Sequence, residues 1–198
     1  MSEPRLEPQA RRRPEGFYRA AEDRELLALA AEAHDDRAFE EIVRRYENVL
    51  YTFALRLTSS PADAAEAVQE ALLAAWRARA GFRGDSKVST WLYTITRSKA
   101  LDCFRRREAA TSVAEPPDAD APHDGAAGAT ARLDILDALR ALPLEFREVA
   151  VLADILALPL AEIARVTDAP ENTVKTRLFR ARGRLARLLT EEDESADA

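Results

Sequence analysis

The chain has 198 residues, with 29 basic and 35 acidic side chains that give a formal net charge of −6, and a single cysteine. One cysteine excludes an internal disulfide, and with only two histidines we expect neither a structural zinc site nor any other cofactor. No apolar stretch is long enough to span a bilayer, and the first residues lack the apolar segment of a secretory signal. We therefore expect a cytoplasmic protein without stable membrane insertion.

The first part of the chain predicts a tail followed by a small helical domain. Residues 1–20 are polar and contain prolines, and we expect them to be disordered. Residues 21–108 show helical periodicity, most regularly between Phe39 and Leu57, where apolar side chains recur every three or four positions. Four helices are expected here, and they begin near Asp23, at Asp35 or Asp36, at Ser60–Pro61 and near Ser89.

A change of composition separates this domain from a second one. Residues 109–129 contain three prolines, two glycines and four acids but no lysine or arginine, which is typical of a mobile linker. Helical periodicity resumes over residues 130–190, and residues 191–198 form an acidic tail. The chain is therefore predicted to be all-α, with two small helical domains joined by a flexible linker.

Residues 160–189 predict two helices that meet at a tight turn. The first has its apolar residues on one face. The segment 167–170 then breaks it, because Pro170 disfavours helical geometry at the preceding residue and suits the start of a new helix. The second helix combines an apolar stripe with many basic residues, as in a helix-turn-helix whose second helix enters a major groove. A helical hairpin with a solvated basic face is the alternative.

Positive charge is concentrated in two segments of an otherwise acidic chain. Residues 82–107 hold seven basic and two acidic residues, and residues 171–189 hold six basic residues and one acid. The rest of the chain holds twice as many acidic as basic residues, 32 against 16. Two separate positive segments indicate two contacts with a polyanion rather than general affinity for one.

Four segments, in this order, resemble the extracytoplasmic-function (ECF, group IV) sigma factors of bacterial RNA polymerase. Sigma region 2.1 is similar to AFEEIVRRYENVLYTFALRL, and region 2.2 to DAAEAVQEALLAAW. Regions 2.3 and 2.4 are similar to FRGDSKVSTWLYTITRSKALDCFRRR, and region 4 to ALRALPLEFREVAVLADILALPLAEIARVTDAPENTVKTRLFRARGRL. The resemblance covers residues 23–189. It implies a promoter-specificity factor that binds core polymerase and recognises the −10 element with residues 21–108 and the −35 element with residues 130–190.

One face of the region 2.2 helix carries acidic and amide side chains. Glu66, Gln69 and Glu70 are spaced i, i+3 and i+4, so they project from the same side of a helix, and Asp63 precedes them by one turn. The resemblance implies that Asp63, Glu66, Gln69 and Glu70 bind the β′ clamp of core RNA polymerase, and that the β flap is a further contact. Taken alone, these residues also fit an ordinary solvated face.

The segment from Phe82 to Arg107 combines a loop, aromatic side chains and cations. This suits single-stranded nucleic acid, because bases stack on rings while cations follow the backbone. The resemblance implies recognition of the non-template −10 strand, with a base captured between the loop and the following helix. The predicted −10 contacts are Phe82, Arg83, Lys87, Ile95, Ser98, Arg105 and Arg106. Many relatives have asparagine at the position of Ser98, which leaves the preferred base open.

In region 4, the resemblance places the −35 contacts on the second helix of the helix-turn-helix. Backbone amides at a helix start favour a phosphate, basic side chains reach guanine edges, and an aromatic ring can contact a thymine methyl. The predicted contacts are Asn172, Thr173, Lys175, Thr176, Phe179 and Arg180. Two positions depart from the family, since Pro159 replaces a frequent serine cap and Asp168 a frequent turn glycine. We expect the turn to form with some strain, because aspartate tolerates left-handed geometry.

The role of the linker and the identity of the partners are implied by the family resemblance alone. In relatives, the equivalent segment leads toward the RNA exit path, where acidic side chains can mimic nucleic acid. The corresponding acids of this chain are Glu115, Asp118, Asp120 and Asp124. A passive tether explains the same composition equally well. The resemblance also implies an anti-sigma factor as partner and no small-molecule substrate.

Two other classes of protein compete with this interpretation. A helix-turn-helix transcriptional regulator would bind duplex DNA without polymerase, but it leaves the acidic helical face and the first positive segment unexplained. A helical adaptor that never contacts DNA leaves both positive segments unexplained. An enzyme is not expected, because the chain has no glycine-rich phosphate loop and no spacing typical of metal ligands or of a nucleophile with its base.

Overall fold

The computed structural model describes residues 13–111 and 135–196, and every regular element within them is helical. The helices of the first domain are α1 (Glu15–Ala20), α2 (Asp23–Glu32), α3 (Asp36–Thr58), α4 (Pro61–Ala78) and α5 (Val88–Thr111). Those of the second domain are α6 (residues 135–141), α7 (Leu144–Ala150), α8 (Leu160–Thr167) and α9 (Glu171–Ala196). The predicted all-α fold is confirmed, and the four acids of the predicted linker lie outside the described residues.

Local sequence signals set the boundary between α3 and α4. Ser59 ends α3 in the left-handed region, with φ of 56°. Ser60 then caps α4, where its hydroxyl oxygen accepts a hydrogen bond from the Asp63 amide at 3.3 Å, and Pro61 occupies the first helical position. The start predicted for this helix is confirmed.

The core of the first domain lies between α3, α4 and α5. The rings of Phe53 and Tyr93 meet edge to face at 5.6 Å and join α3 to α5. Phe39 and Trp76 pack in the same manner at 5.1 Å and join α3 to α4. Such pairs stabilise a core by about 0.5–1.5 kcal/mol beyond the area that they bury. The three helices therefore form one unit, which fixes the outer faces of α4 and α5.

A buried carboxylate of α3 orients the arginine that holds the N-terminal helices on α3. Glu41 accepts hydrogen bonds from Arg44 at 2.6 and 2.7 Å and from Arg45 at 2.9 Å. Arg45 also donates to Asp23 at 2.8 Å, and to three backbone carbonyls at the C-terminal end of α1 at 2.9–3.0 Å. One guanidinium thus joins α1, α2 and α3.

Helix α1 lies within the segment that the sequence predicts as a disordered tail. Tyr18 is buried, and its hydroxyl donates a hydrogen bond to Asp35 at 2.8 Å. The prediction of disorder over residues 1–20 is therefore wrong for Glu15–Ala20. A helix of six residues has almost no stability of its own, and contacts with Arg45 and the core hold this one in place.

The second domain contains the predicted helix-turn-helix, formed by α8 and α9. Asp168 ends α8 in the left-handed region, with φ of 51° and ψ of 47°, so the turn forms without glycine as expected. The Ala169 amide donates to the Ala164 carbonyl at 3.0 Å and satisfies one of the last carbonyls of the helix. Pro159 precedes α8 and leaves it without a side-chain cap. The inner faces of both helices are apolar and buried.

The two domains pack against each other, which the sequence does not predict. Arg147 of α7 is 6% exposed and donates to the Leu57 carbonyl at the end of α3 at 2.9 Å. It also donates to the carbonyls of Arg140 and Leu142 in its own domain, at 2.5 and 3.2 Å. Burial lowers the pKa of Arg147 from its ordinary value. Three carbonyl oxygens compensate part of the cost of burying this cation.

The Glu41 carboxylate should make stability depend on pH in acid. Hydrogen bonds from Arg44 above all, and from Arg45, lower the pKa of Glu41 from 4.5 to about 2. A carboxyl with a lowered folded-state pKa stabilises the protein above its unfolded pKa, and this stabilisation is lost as pH falls. Glu41→Gln should therefore unfold more easily than the wild type at pH 7. The difference in free energy of unfolding should shrink by about 2 kcal/mol as the pH falls from 4.5 to 2. This is less than the full pKa shift would give, because Arg44 is solvent-exposed.

Urea denaturation at several pH values would measure this difference. Glu40→Gln is the matched control, because Glu40 is the exposed neighbour on the same helix, and its curve should run parallel to that of the wild type. A Glu41→Gln curve that also runs parallel would contradict the assignment.

Candidate functional site

The outward face of α9 carries the residues predicted to bind the −35 element. The exposed residues among them are Asn172, Lys175, Thr176, Phe179 and Arg180, whereas Thr173 is half-buried. Phe179 is 81% exposed although it is a large apolar side chain. On the opposite face, Val174 and Leu178 are buried in the core. Helical periodicity thus leaves cations, polar groups and one unpacked aromatic ring facing away from the protein.

Three further arginines of α9 have protein partners instead. Arg177 pairs with two glutamates of α7 at 3.3 and 3.7 Å, and Arg182 pairs with Asp154 at 2.5 Å. The Arg184 guanidinium lies over the ring of Phe146, 4.8 Å from its centroid. These cations hold α9 against the rest of its domain, so they do not extend the exposed face.

The loop before α5 lies beside α2. Phe82 is half-buried and packs on Trp91 at a ring distance of 5.2 Å, and Arg83 is exposed. Gly84 has φ of +78°, and a Cβ built on it would lie 2.5 Å from Nη2 of Arg24. Arg24 is exposed and has no ion-pair partner among the described residues. This cation beside the loop was missed, because it comes 60 positions earlier in an acidic segment.

The seven predicted −10 residues do not form one cluster. The loop holds Phe82, Arg83 and Lys87. The first half of α5 carries Ile95, which is half-buried, and Ser98, which is exposed. The other end of that helix carries Arg105 and Arg106. Eighteen positions separate Val88 from Arg106, which corresponds to about 27 Å of helix. The structure brings the loop and the first turns of α5 together and separates them from the two arginines.

The face of α4 predicted to bind polymerase lies next to the C-terminal half of α5. Three ion pairs connect the helices: Asp63–Arg107 at 3.6 Å, Glu66–Arg106 at 2.8 Å and Glu70–Lys99 at 3.7 Å. About half of each of the Glu66 and Glu70 side chains stays exposed, and Gln69 is exposed beside them. Leu73, one turn further on, is 41% exposed and adds an apolar group that the sequence analysis did not single out.

The first positive segment is largely neutralised within the molecule. Beyond the three pairs with α4, Arg105 lies 3.8 Å from Asp102. Acids of the second domain hold two more of its cations, Lys87 and Arg97. Among the described residues, Arg83 is the one basic side chain of this segment without an ion-pair partner. The sequence could not reveal this, because most of the acids involved lie in distant parts of the chain.

These observations define the class of protein: an all-helical helix-turn-helix protein with a second, largely neutralised cationic surface. Within the described residues, no helix combines the length and apolar character needed to cross a membrane. The family model for sigma-70 region 2 matches residues 42–110, and that for sigma-70 region 4 matches residues 132–185.

Two curated relatives match most of the chain. The ECF RNA polymerase sigma factor SigM of Mycobacterium tuberculosis is 38% identical over 167 residues, which cover 84% of each chain. The ECF RNA polymerase sigma-E factor of Escherichia coli K12 is 30% identical over 172 residues, 80% of this chain and 90% of that protein. The chain therefore belongs to the ECF sigma factors, which are non-catalytic promoter-recognition subunits of RNA polymerase.

Solved structures agree with this assignment. The sigma factor RpoE of Bartonella quintana, in complex with the anti-sigma factor NepR, is 27% identical, with a TM-score of 0.67 over 77% of this chain and 96% of that one. CnrH, in complex with the cytosolic domain of CnrY, is 31% identical, with a TM-score of 0.68 over 85% of this chain and 97% of that one.

Substitution of Gly84 should disturb the loop in a defined way. Gly84→Ala should lower the free energy of unfolding by about 1 kcal/mol, because an L-residue at positive φ is strained. The long Arg24 side chain can swing aside, so Arg24→Ala in the same chain should not restore stability. Thermal unfolding would measure both effects. Gly81→Ala is the control, since a Cβ there meets nothing within 4 Å; an equal loss in that variant would refute the role of the backbone conformation.

Proposed function

We propose that this sigma factor binds core RNA polymerase through α4, holds the −10 element as a single strand at the loop before α5, and reads the −35 element as duplex DNA with α9. The outward face of α9 is the observation that carries this proposal. Phe179 lies there among exposed cations and polar groups, and a DNA major groove supplies partners for each of these groups.

The composition of the α9 face fits readout of base pairs. Lys175 and Arg180 can bind guanine edges or phosphates, and Phe179 can contact a thymine methyl. The three arginines of α9 that are bound within the protein keep the helix in a fixed orientation. A recognition helix held rigidly by its own domain presents its side chains without an additional ordering cost.

The loop before α5 fits a single strand rather than a duplex. Phe82 and Ile95 are half-buried apolar groups, Arg83 and Arg24 are exposed cations, and Ser98 is an exposed hydroxyl. Bases can stack on the apolar groups while the cations follow the backbone. Arg105 and Arg106 lie too far along α5 to contact the same nucleotides as the loop, so we assign them to a different stretch of the backbone.

The α4 face fits docking to a protein. Glu66 and Glu70 are half-exposed carboxylates, and their cationic partners Arg106 and Lys99 are 64% and 34% exposed, so a partner's arginines can replace these pairs at little cost. Gln69 and the apolar Leu73 lie on the same side. We assign core polymerase, at the β′ clamp, to this face, with the β flap as a contact of the second domain.

An anti-sigma factor is part of the same proposal. The similar sigma factor RpoE of Bartonella quintana is in complex with an anti-sigma factor, and the similar protein CnrH is in complex with the cytosolic domain of CnrY. Both match this chain over more than three-quarters of its length. We assign a protein inhibitor of this class to this chain.

The −35 assignment predicts a selective loss of affinity. Arg180→Ala should weaken holoenzyme binding to a promoter fragment by about ten-fold, the value of one good contact with a base edge. The loss should vanish when the −35 sequence of the fragment is scrambled, because the side chain then has no specific partner. Arg187→Ala is the matched control, since Arg187 is an exposed arginine two turns further on the same helix. Equal losses for both variants in a gel-shift titration would refute the assignment.

The isolated chain should not open DNA. Separating about six base-pair steps costs on the order of 8 kcal/mol, whereas each captured base returns about 1–3 kcal/mol. Core polymerase must supply the difference. Permanganate footprinting of a supercoiled promoter should therefore show reactive thymines with holoenzyme and none with the chain alone. Tight, sequence-specific binding by the chain without core enzyme would instead favour a helix-turn-helix regulator.

A further inference from the structure

We propose that Arg24 of α2 and the glycine turn of the loop before α5 form a subsite that holds one phosphate of the single strand, whatever base that phosphate carries. This inference rests on the proposed function of the loop. Arg24 lies outside the segments that the sigma-70 family models match, residues 42–110 and 132–185. Its role therefore follows from its surroundings in the fold.

Arg24 contacts the loop at Gly84. A Cβ built on this glycine would lie 2.5 Å from Nη2 and 2.7 Å from Cζ of Arg24, so the guanidinium lies directly over the bare backbone of the loop. A side chain at this position would take the place of the guanidinium. The φ of +78° favours glycine for a second, independent reason.

Arg24 differs from many cations of the first domain because it has no partner. Its exposed side chain makes neither an ion pair nor a hydrogen bond among the described residues. Arg44, Arg45 and Lys99, in contrast, pair with acids at 2.6, 2.8 and 3.7 Å. The acid next to Arg24 in the chain, Asp23, is the one that pairs with Arg45. Arg24 is therefore available to an anion from outside the protein.

The loop adds backbone donors beside this cation. The amides of Gly84, Asp85 and Ser86 donate to no acceptor among the described residues. Backbone amides and arginine side chains both bind phosphate oxygens in contacts with nucleic acids. Arg83 precedes the glycine and is exposed, so the two arginines leave the turn with a net positive charge despite the Asp85 carboxylate.

These surroundings favour a phosphate over a base. A base needs an apolar surface on which to stack, and Phe82 and Ile95 supply that surface elsewhere in the region. A phosphate carries a full charge, and a guanidinium can bind two of its oxygens at once. Contacts with phosphates carry no sequence information, so Arg24 should add the same affinity for every base sequence.

The test is a salt titration of holoenzyme on a promoter fragment whose non-template −10 strand is single-stranded. Arg24→Gln should weaken binding about three-fold at about 0.15 M salt, which is typical of one exposed charge pair. The slope of log affinity against log salt should become shallower by about 0.7, because one phosphate fewer is neutralised. Arg24→Lys keeps the charge and should keep the slope of the wild type.

Arg37→Gln is the matched control. Arg37 is another exposed arginine of the first domain, and it lines a separate cavity with Tyr18 and Arg19. Its loss should change neither the affinity nor the salt slope. Equal losses for Arg24→Gln and Arg37→Gln would show a general effect of charge and would overturn the subsite.

Methylphosphonate substitution locates the phosphate. It replaces one charged oxygen by a methyl group, at one linkage of the single strand at a time. At the contacted linkage, binding by the wild type should fall about three-fold, whereas binding by Arg24→Gln should not fall further. At the other linkages the difference between the two proteins should persist. A difference that persists at every linkage would overturn the subsite, and the arm with wild type alone does not depend on the folding of a variant.

The remaining outcomes separate this inference from the proposed function. Equal affinities and slopes for wild type and Arg24→Gln, together with weaker binding by Arg83→Gln, would overturn the role of Arg24 and leave that of the loop. A loss that depends on the −10 base sequence would show that Arg24 reads a base and would overturn the phosphate assignment. Failure of the wild-type holoenzyme to prefer this fragment over a fully paired one would overturn the proposed function of the loop and this inference with it.

Discussion

The placement of cations beside acids is the constraint that determines which surfaces of this structure remain charged. The chain carries 29 basic residues although its net charge is −6. The fold places many of them beside acids. Arg45 gathers α1 and α2 onto α3, and Glu148 and Glu162 pair with cations of α5. Arg147 differs, since it joins the second domain to the end of α3 through backbone carbonyls. Whatever charge is left unpaired defines the surfaces that a nucleic acid can contact.

The recognition helix shows this division most clearly. Its arginines are chemically identical, yet Arg177, Arg182 and Arg184 hold the helix to its own domain while Arg180 points outward. The difference follows from helical periodicity, since Arg177, Arg182 and Arg184 lie on the sides of α9 that meet Glu145, Asp154 and the ring of Phe146. A uniformly basic segment is thereby divided into a structural side and an exposed side.

The pairing of cations with acids also neutralises much of the charge of the first domain. The acids of α4 and the cations of α5 neutralise each other along one side of the domain, and acids of the second domain neutralise cations on the other. The pairs of Glu66 and Glu70 with α5 are partly exposed, so each contributes little to stability and can be replaced, whereas Glu148 in the pair with Arg97 is 3% exposed. A sigma factor whose binding groups are already paired exchanges one set of partners for another when it assembles, and the acidic surface limits nonspecific contacts with DNA.

The sequence by itself determined the helices after α1, their boundaries within a few residues, the helix-turn-helix and the outward face of α9. These features follow from local signals: apolar periodicity, the Ser60–Pro61 start and the tolerance of Asp168 for left-handed geometry. Only the tertiary structure decided that α1 is ordered, that Arg24 lies beside Gly84, and that Glu162 pairs with Lys87. Each of these depends on residues far apart in the chain, and an ion pair between distant residues leaves no periodic trace in the sequence.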